Sequence, residues 1–388
     1  YGYQRITAPV FEDLGLFTRI VAEGTDIVDK EMYVIRDRSG QKLALSPEGT
    51  APVCRAYLEH GLYNLPQPVR LYYIAPAFRY ERPQAGRYRQ HHQFGVEALG
   101  DADPALDAEV IEMANQFFLS LGLPGFSMQI NSIGCRACRP KYIEALKQHY
   151  SPYMAHLCPD CKVRFTKNPL RLLDCKNPSC QKVAETAPKS IHYLCNECRT
   201  HFESVQEYLT ALELPFQVSH RLVRGLDYYT RTVFEIQSQE EGAQSALGGG
   251  GRYDDLIEQL GGKPTPSVGF AAGIERIISS LRARKVDVPA LPKSHVFIAY
   301  VGEEAKLEAM KLASRLRRGQ IAVMEATGSK SLKGQMRQAN ALGTSYTIIV
   351  GKAEVQSKTV ILRDMKSGEQ KSIPSAEVET ALKGTESP

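Results

Sequence analysis

Two apolar, β-prone segments, Leu71 to Phe78 and Phe94 to Leu99, flank a turn of Pro83, Ala85 and Gly86 that carries Arg79, Arg82, Arg87 and Arg89. Strand-forming runs broken by Pro and Gly predict an antiparallel hairpin, and this constrains the fold more than any other stretch. Four guanidiniums on one short ribbon repel each other unless an anion lies among them, and Arg grips phosphate oxygens two at a time. Two readings stay open for these residues alone: a ribbon that holds phosphate, and a solvated, charged hairpin tip.

The chain has 388 residues, 43% of them hydrophobic, and no apolar run near the length of a membrane span. It reads as a soluble protein of two or three domains with no membrane segment. Its net charge of +5 suits a phosphate-rich partner without requiring one. Tyr1 to Ile6 already resembles the run-in to a strand, with no initiator Met and no signal peptide visible, so we expect that an N-terminal segment is missing.

Eight of the nine cysteines fall in four close pairs: Cys135 with Cys138, Cys158 with Cys161, Cys175 with Cys180, and Cys195 with Cys198. Without a secretory signal, such spacing favours thiolate metal sites over disulfides, because two cysteines so placed meet one tetrahedral zinc from a single turn. Eight ligands would complete two closed structural sites. The alternative is a set of free thiols in a helical insertion. A redox role is disfavoured, since no βαβ thioredoxin pattern surrounds the pairs.

Along the chain, Arg5 to Phe11 is expected to form a strand, with Pro9 near its end, and Glu31 to Arg36 a hairpin with Lys42 to Leu45. Asp103 and Pro104 are placed as N-cap and first residue of a helix. Its core face is Leu106, Val110, Ile111, Ala114, Phe117, Phe118 and Leu121. Strand character resumes at Phe216 to Val223 and at Thr232 to Gln237, and Val286 to Lys293 reads as a linker. Beyond it, strands at His295–Val301, Ile321–Met324 and Tyr346–Val350 alternate with helices at Glu303–Arg318 and Ser331–Leu342, which predicts a small domain with a mostly parallel sheet.

Two further stretches carry chemistry. In Arg224 to Glu235 an Arg and a Gly turn precede paired tyrosines, Tyr228 and Tyr229, at the mouth of a strand. A buried Arg beside phenolic hydroxyls can stabilise charge building on a phosphate. Gly248 to Gly251 allow close backbone approach, and the run Ser267 to Arg276 is strand-like and then enters a helix carrying Glu275 and Arg276; neither is a Walker loop nor a dinucleotide fingerprint.

The strand ending in Pro9, the Phe78-Arg79-Tyr80-Glu81 entry to the hairpin, and the Gly-rich strand leading to Gly273-Ile274-Glu275-Arg276 together resemble the three signature motifs of class II aminoacyl-tRNA synthetases. Arg224 to Glu235 is similar to the signature of the histidyl-tRNA synthetase family, of bacterial type, and the resemblance runs from Tyr3 to about Leu382. It implies an α+β class II catalytic domain, an antiparallel sheet with helices, over residues 1–134 and 216–285. A Cys-rich helical insertion would occupy 135–215 and a linker 286–293. An α/β anticodon-binding domain would follow over 294–388.

The resemblance also implies roles. Glu48, Gly49, Thr50 and Gln93 would hold the amine and carboxylate of histidine, while Glu97 and Tyr229 read its imidazole and Tyr228 and Tyr253 line the pocket. Arg79, Glu81, Arg87, His91 and Arg276 would bind ATP, with Arg79 on the α-phosphate and Arg224 as the catalytic arginine. Arg82, Gln84 and Arg89 would contact the tRNA acceptor stem. ATP with Mg2+, possible structural zinc, tRNA(His), L-histidine, a homodimer and a cytoplasmic location complete the expectation. In this family a helix ahead of the Pro9 strand builds the dimer interface, so a chain starting at Tyr1 would lack part of it. Ser46 stands where the family usually has Arg, and His91 where it usually has Phe. His91 could still stack on adenine, with a charge that depends on pH. A catalytically silent regulatory paralogue and a class II synthetase for a neighbouring amino acid are the alternatives. The first typically loses the catalytic arginine and lacks the terminal domain, both present here, and the Arg224 to Tyr229 stretch argues against the second.

Overall fold

A computed structural model describes residues 1–20, 31–80, 88–123, 125–238, 246–286, 296–328 and 330–383. The chain divides into two compact units, Tyr1–Val286 and Asp287–Pro388. The hairpin tip at 81–87 and, apart from Val286, the expected linker lie outside the described residues.

The first unit begins with β1 (Gln4–Arg5), β2 (Phe11–Asp13), α1 (Leu14–Ile20), β3 (Val34–Arg36), β4 (Lys42–Leu45) and α2 (Thr50–Glu59). It continues through β5 (Val69–Phe78), β6 (Gln90–Leu99), α3 (Pro104–Ser120) and β7 (Phe126–Ser132). The cysteine-bearing insertion contains α4 (Arg139–Tyr150), α5 (Pro159–Lys167), α6 (Pro178–Glu185) and α7 (Asn196–Ala211). The chain returns through β8 (Gln217–Val218), β9 (Thr230–Ser238), β10 (Ala246–Arg252), α8 (Leu256–Gln259), β11 (Ser267–Gly273) and α9 (Ile274–Ala283).

One sheet runs in the order β1-β5-β6-β11-β10-β9-β7-β8. Its inner pairs are antiparallel, and only the outer strands β1 and β8 run parallel to their neighbours. The β5–β6 ribbon is longer than the apolar pattern suggests. Its ladder extends to Phe78 opposite Gln90 because polar residues keep a strand conformation where the backbone stays paired. Period-2 alternation then sorts the side chains. Phe94, Val96, Ala98, Phe234, Ile236, Val268, Phe270 and Ala272 bury against Leu106, Val110, Ile111 and Phe118 of α3 and Phe202, Val205 and Leu209 of α7. The intervening residues, among them Gln93, Glu97, Glu235, Gly249 and Gly269, border a cavity instead.

α3 starts as its sequence signals predict, with Asp103 accepting the Ala105 amide at 2.8 Å and Pro104 in the first position. Arg252, fully buried, ties β10 to that helix start through Asp107 at 2.7 Å and the carbonyls of Asp101 and Asp103, each at 2.9 Å. A charge without water must be paired in this way.

Two strands differ from expectation. The run Arg5 to Phe11 splits, because Pro9 has no N–H to donate: β1 joins β5, while β2 pairs β4 in a separate three-stranded sheet ordered β2-β4-β3. The strand expected over Phe216–Val223 shortens to β8, after which the chain turns, the Leu222 amide donating to the Ser219 carbonyl at 3.0 Å.

The second unit contains β12 (Val296–Tyr300), α10 (Glu303–Arg318), β13 (Val323–Glu325), α11 (Leu332–Leu342), β14 (Tyr346–Val350), α12 (Lys352–Ser357), β15 (Thr359–Asp364), β16 (Gln370–Pro374) and α13 (Val378–Lys383). The sheet order is β13-β12-β14-β15-β16. It is parallel only among β13, β12 and β14, since β15 and β16 close as an antiparallel hairpin. The turn that reverses the chain is built by Asp364, whose Oδ1 accepts the amides of Lys366 and Ser367, and by Gly368 at φ 79°. Among the described residues no helix is long and apolar enough to cross a membrane.

Candidate active site

On the face of the large sheet opposite α3 and α7 lies a cavity of about 310 Å³. Its walls bring together Glu48, Thr50, Gln93, Glu97, Tyr228, Tyr229 and Tyr253 from the expected histidine set. Arg79, His91 and Arg276 from the expected ATP set, and Arg224, line the same space. Glu81, Arg82, Gln84 and Arg87 lie outside the described residues. Arg89 does not line the cavity; its guanidinium lies 4.5 Å over the Tyr80 ring.

Glu97 is 1% exposed. Its carboxylate accepts from Thr50 Oγ1 at 2.7 Å, from the Tyr73 hydroxyl at 3.4 Å and, through a short bond, from the Tyr253 hydroxyl. Burial pushes its pKa up to about 8, although these hydroxyls favour the ionised form. Gly269 faces Glu97 across the β6–β11 ladder, and a Cβ there would collide with Glu97 Oε2 and the Val96 carbonyl. Gly269→Ala should therefore displace the carboxylate or the strand and lower the Tm in thermal unfolding; an unchanged Tm would show that the carboxylate has room to move.

Glu48 accepts the amides of Thr50 at 2.7 Å and Ala51 at 2.8 Å, capping the first turn of α2, and takes the Tyr228 hydroxyl at 3.3 Å. Burial raises its pKa against the pull of those backbone amides. Gly49 is absent from the cavity wall. It is the N-cap of α2, and a side chain there would run into the Tyr73 ring.

Arg224 donates from NH1 to Glu235 Oε2 at 2.6 Å and sits 5.9 Å from the Tyr229 ring centroid. Its buried Nε has no hydrogen-bond partner among the described residues. The ion pair crosses Gly249, which faces Glu235 in the ladder and whose Cβ would come within 2.7 Å of the guanidinium. Arg79 is held by the Pro47 carbonyl at 2.9 Å.

His91 departs from its expectation. Burial, with Arg79 close by, lowers its pKa to about 4, so the ring is neutral at physiological pH and carries no pH-dependent charge there. Its neighbour His92 instead turns toward Glu275, its amide donating to that carboxylate and its Nδ1 lying 2.8 Å from Oε1. Ser46 is buried beside Pro9, its amide donating to the Val10 carbonyl at 2.9 Å, and does not line the cavity. Tyr73 and Glu235 are site residues that sequence reasoning missed. Tyr73 could have been found from its strand register, since it faces Gly95, where a Cβ would strike its ring.

The cysteines assemble in a nested order that spacing alone left open. Cys135, Cys138, Cys195 and Cys198 form one group and Cys158, Cys161, Cys175 and Cys180 the other, each with its four sulfurs within 4.8 Å of one another. Either group could hold a metal ion.

An antiparallel sheet with the cavity on the face opposite α3 and α7, an Arg-bearing ribbon along it and a Gly-rich strand leading into the Arg276 helix define a class II aminoacyl-tRNA synthetase fold. The histidyl-tRNA synthetase family model matches residues 1–277, and that of an anticodon binding domain matches 295–385. The chain belongs to the histidyl-tRNA synthetase family. A histidine–tRNA ligase of Dehalococcoides mccartyi is 59% identical over 374 residues, covering 96% of this chain and 90% of that one. One of Natranaerobius thermophilus is 48% identical over 385 residues, covering 99% and 91%. The crystal structure of apo S. aureus histidyl-tRNA synthetase is similar with a TM-score of 0.82 at 36% identity, covering 99% of this chain and 92% of that one.

Proposed function

We propose that the cavity binds L-histidine and ATP side by side, forms histidyl-adenylate, and passes the histidyl group to the terminal ribose of tRNA(His). The observation that carries this is Glu97, buried at the cavity floor among the hydroxyls of Thr50, Tyr73 and Tyr253. An imidazole brings N–H donors to that carboxylate, and an apolar isostere would leave the buried polar groups unpaired. Glu48, Thr50 and Gln93, all on the cavity wall, take the amine and carboxylate of the amino acid in this reading, with Tyr228 and Tyr229 beside them.

The histidine carboxylate attacks the ATP α-phosphate in line, and pyrophosphate leaves. Arg79 and Arg224 supply positive charge where it builds on the phosphate, and the unpaired Arg224 Nε–H is a donor left for a ligand. No nucleophilic side chain is needed, because positioning and electrostatics carry the step. Neutral His91 offers a flat face for adenine beside Arg276. Mg2+ bound with the nucleotide would neutralise the charge of the phosphates. Zinc in the thiolate groups, acceptor-stem contacts through Arg82, Gln84 and Arg89, a homodimer and a cytoplasmic location belong to the same reading.

Exchange of labelled pyrophosphate into ATP, run with each of the twenty amino acids, tests it. Histidine alone should support exchange; exchange with another amino acid, or with none, overturns the assignment.

A further inference from the structure

We propose that the insertion binds two Zn2+ ions in nested four-cysteine sites, and that these ions set the position of the 224–231 loop, which carries Arg224, Tyr228 and Tyr229. The second half of this proposal rests on the reading of the cavity above.

Sulfur spacing is the first argument. Cys135 and Cys138 lie 3.7 Å apart, Cys135 and Cys195 3.9 Å, and Cys158 and Cys175 3.8 Å. Tetrahedral zinc with bonds of about 2.3 Å places its sulfurs about 3.8 Å apart. Disulfide sulfurs would lie about 2.05 Å apart, and all nine cysteines are free. Backbone amides also turn toward the sulfurs: that of Cys135 donates to Cys138, Cys158 to Cys180, Cys161 to Cys158 and Asn177 to Cys175, at 3.3 to 3.4 Å. Amides so placed stabilise thiolates and orient them as ligands.

The second argument is the small core of the outer group. Cys135, Cys138, Cys195 and Cys198 form an apolar cluster of their own with only Leu194 and Ile191 for company. So little apolar surface cannot hold the ends of β7 and α7 together, and proteins staple such regions with a metal or disulfides. The outer group clips the start of α4 to the start of α7. The inner one clips α5 to α6.

The third argument is what the clipped segments touch. Arg139, next to Cys138, donates from one nitrogen to the carbonyls of Gly134 at 3.1 Å and Tyr229 at 2.5 Å. The Arg231 amide donates to the Gly134 carbonyl at 3.0 Å, and the Ile133 amide to the Arg231 carbonyl at 2.9 Å. Arg231 is held at φ 48°, a left-handed backbone that a non-glycine residue keeps only when its surroundings impose it. From the inner module, Asn168 donates to Asp227 Oδ1 at 2.5 Å and Arg171 to the Gly225 carbonyl at 3.2 Å. Both modules thus hold the loop from behind, while its tyrosines and Arg224 face the cavity.

Metal analysis of the full chain, purified without chelator, should find two zinc ions per chain. Cys195→Ser with Cys198→Ser, and separately Cys175→Ser with Cys180→Ser, should each leave one. Each double variant should raise the histidine KM about tenfold to a hundredfold. Should a variant not fold, the unmodified protein titrated with a mercurial thiol reagent should release two zinc ions to a chromogenic chelator, with the histidine KM rising in step. Less than half a zinc per chain, iron in its place, disulfides by mass spectrometry, or unchanged kinetics after complete zinc release overturns the proposal. Counting zinc needs no substrate. A chain holding two zinc ions that activates another amino acid would lose only its functional assignment, and one that activates histidine equally well without metal would lose only this inference.

Discussion

Arg224→Ala should lower histidine-dependent pyrophosphate exchange about 10²- to 10³-fold, the cost of removing one preorganised charge donor from a transition state. Histidine binding, measured by equilibrium dialysis, should survive. The guanidinium and Glu235 are 2.6 Å apart, with 19% and 18% of their side chains exposed, so the alanine variant also leaves a half-sheltered carboxylate without its partner. Pairing the change with Glu235→Gln removes that stray charge and isolates the catalytic loss. Arg224→Lys keeps the charge but not the planar fork, and should recover only part of the rate. Loss of histidine binding with exchange otherwise intact would move Arg224 out of the phosphate step.

Glu97→Gln should raise the histidine KM about a hundredfold, because a bound imidazolium draws Glu97 into its carboxylate form and glutamine cannot supply that charge. The same variant has a signature in stability. The Glu97 carboxyl ordinarily titrates at 4.5, and in the folded chain at about 8. Between those values the folded chain holds a proton that the unfolded chain has released, so this group's stabilising contribution is full below pH 4.5 and declines as pH rises to 8. Glutamine cannot titrate. The Tm of the unaltered chain should therefore fall relative to that of Glu97→Gln from pH 5 to 8, and parallel Tm profiles would show that Glu97 ionises normally. A bound imidazolium would favour the carboxylate, so saturating histidine should narrow the difference.

Much of this fold is written locally. Asp103-Pro104 announces a helix start, the β5–β6 ribbon follows from alternating aromatic and branched residues, and α10 and β14 match their periodic patterns residue for residue. The misreadings have two causes: the split at Pro9 follows from its missing N–H, while the short β8 and the β15–β16 hairpin depend on which strand edge is available to pair, and sequence periodicity does not report edges. Within the site, motif residues such as Arg79, Thr50 and Tyr229 stand out by type and neighbours. Tyr73 and Glu235 do not, because each acts through a partner that only the fold brings within bonding distance: Tyr73 through Glu97 on the paired strand, Glu235 through Arg224 across Gly249.

The sequence by itself determined the family, the class II fold, and the residue types a histidine- and ATP-handling site needs, since motif spacing and strand alternation are short-range properties. Tertiary structure alone decided that His91 stays neutral beside Arg79, that Glu97 is buried among three hydroxyls and holds its proton to about pH 8, and that the outer cysteine pairs enclose the inner ones. Each of those depends on distance and desolvation between groups about a dozen to more than a hundred residues apart, and the folded sheet and insertion set both.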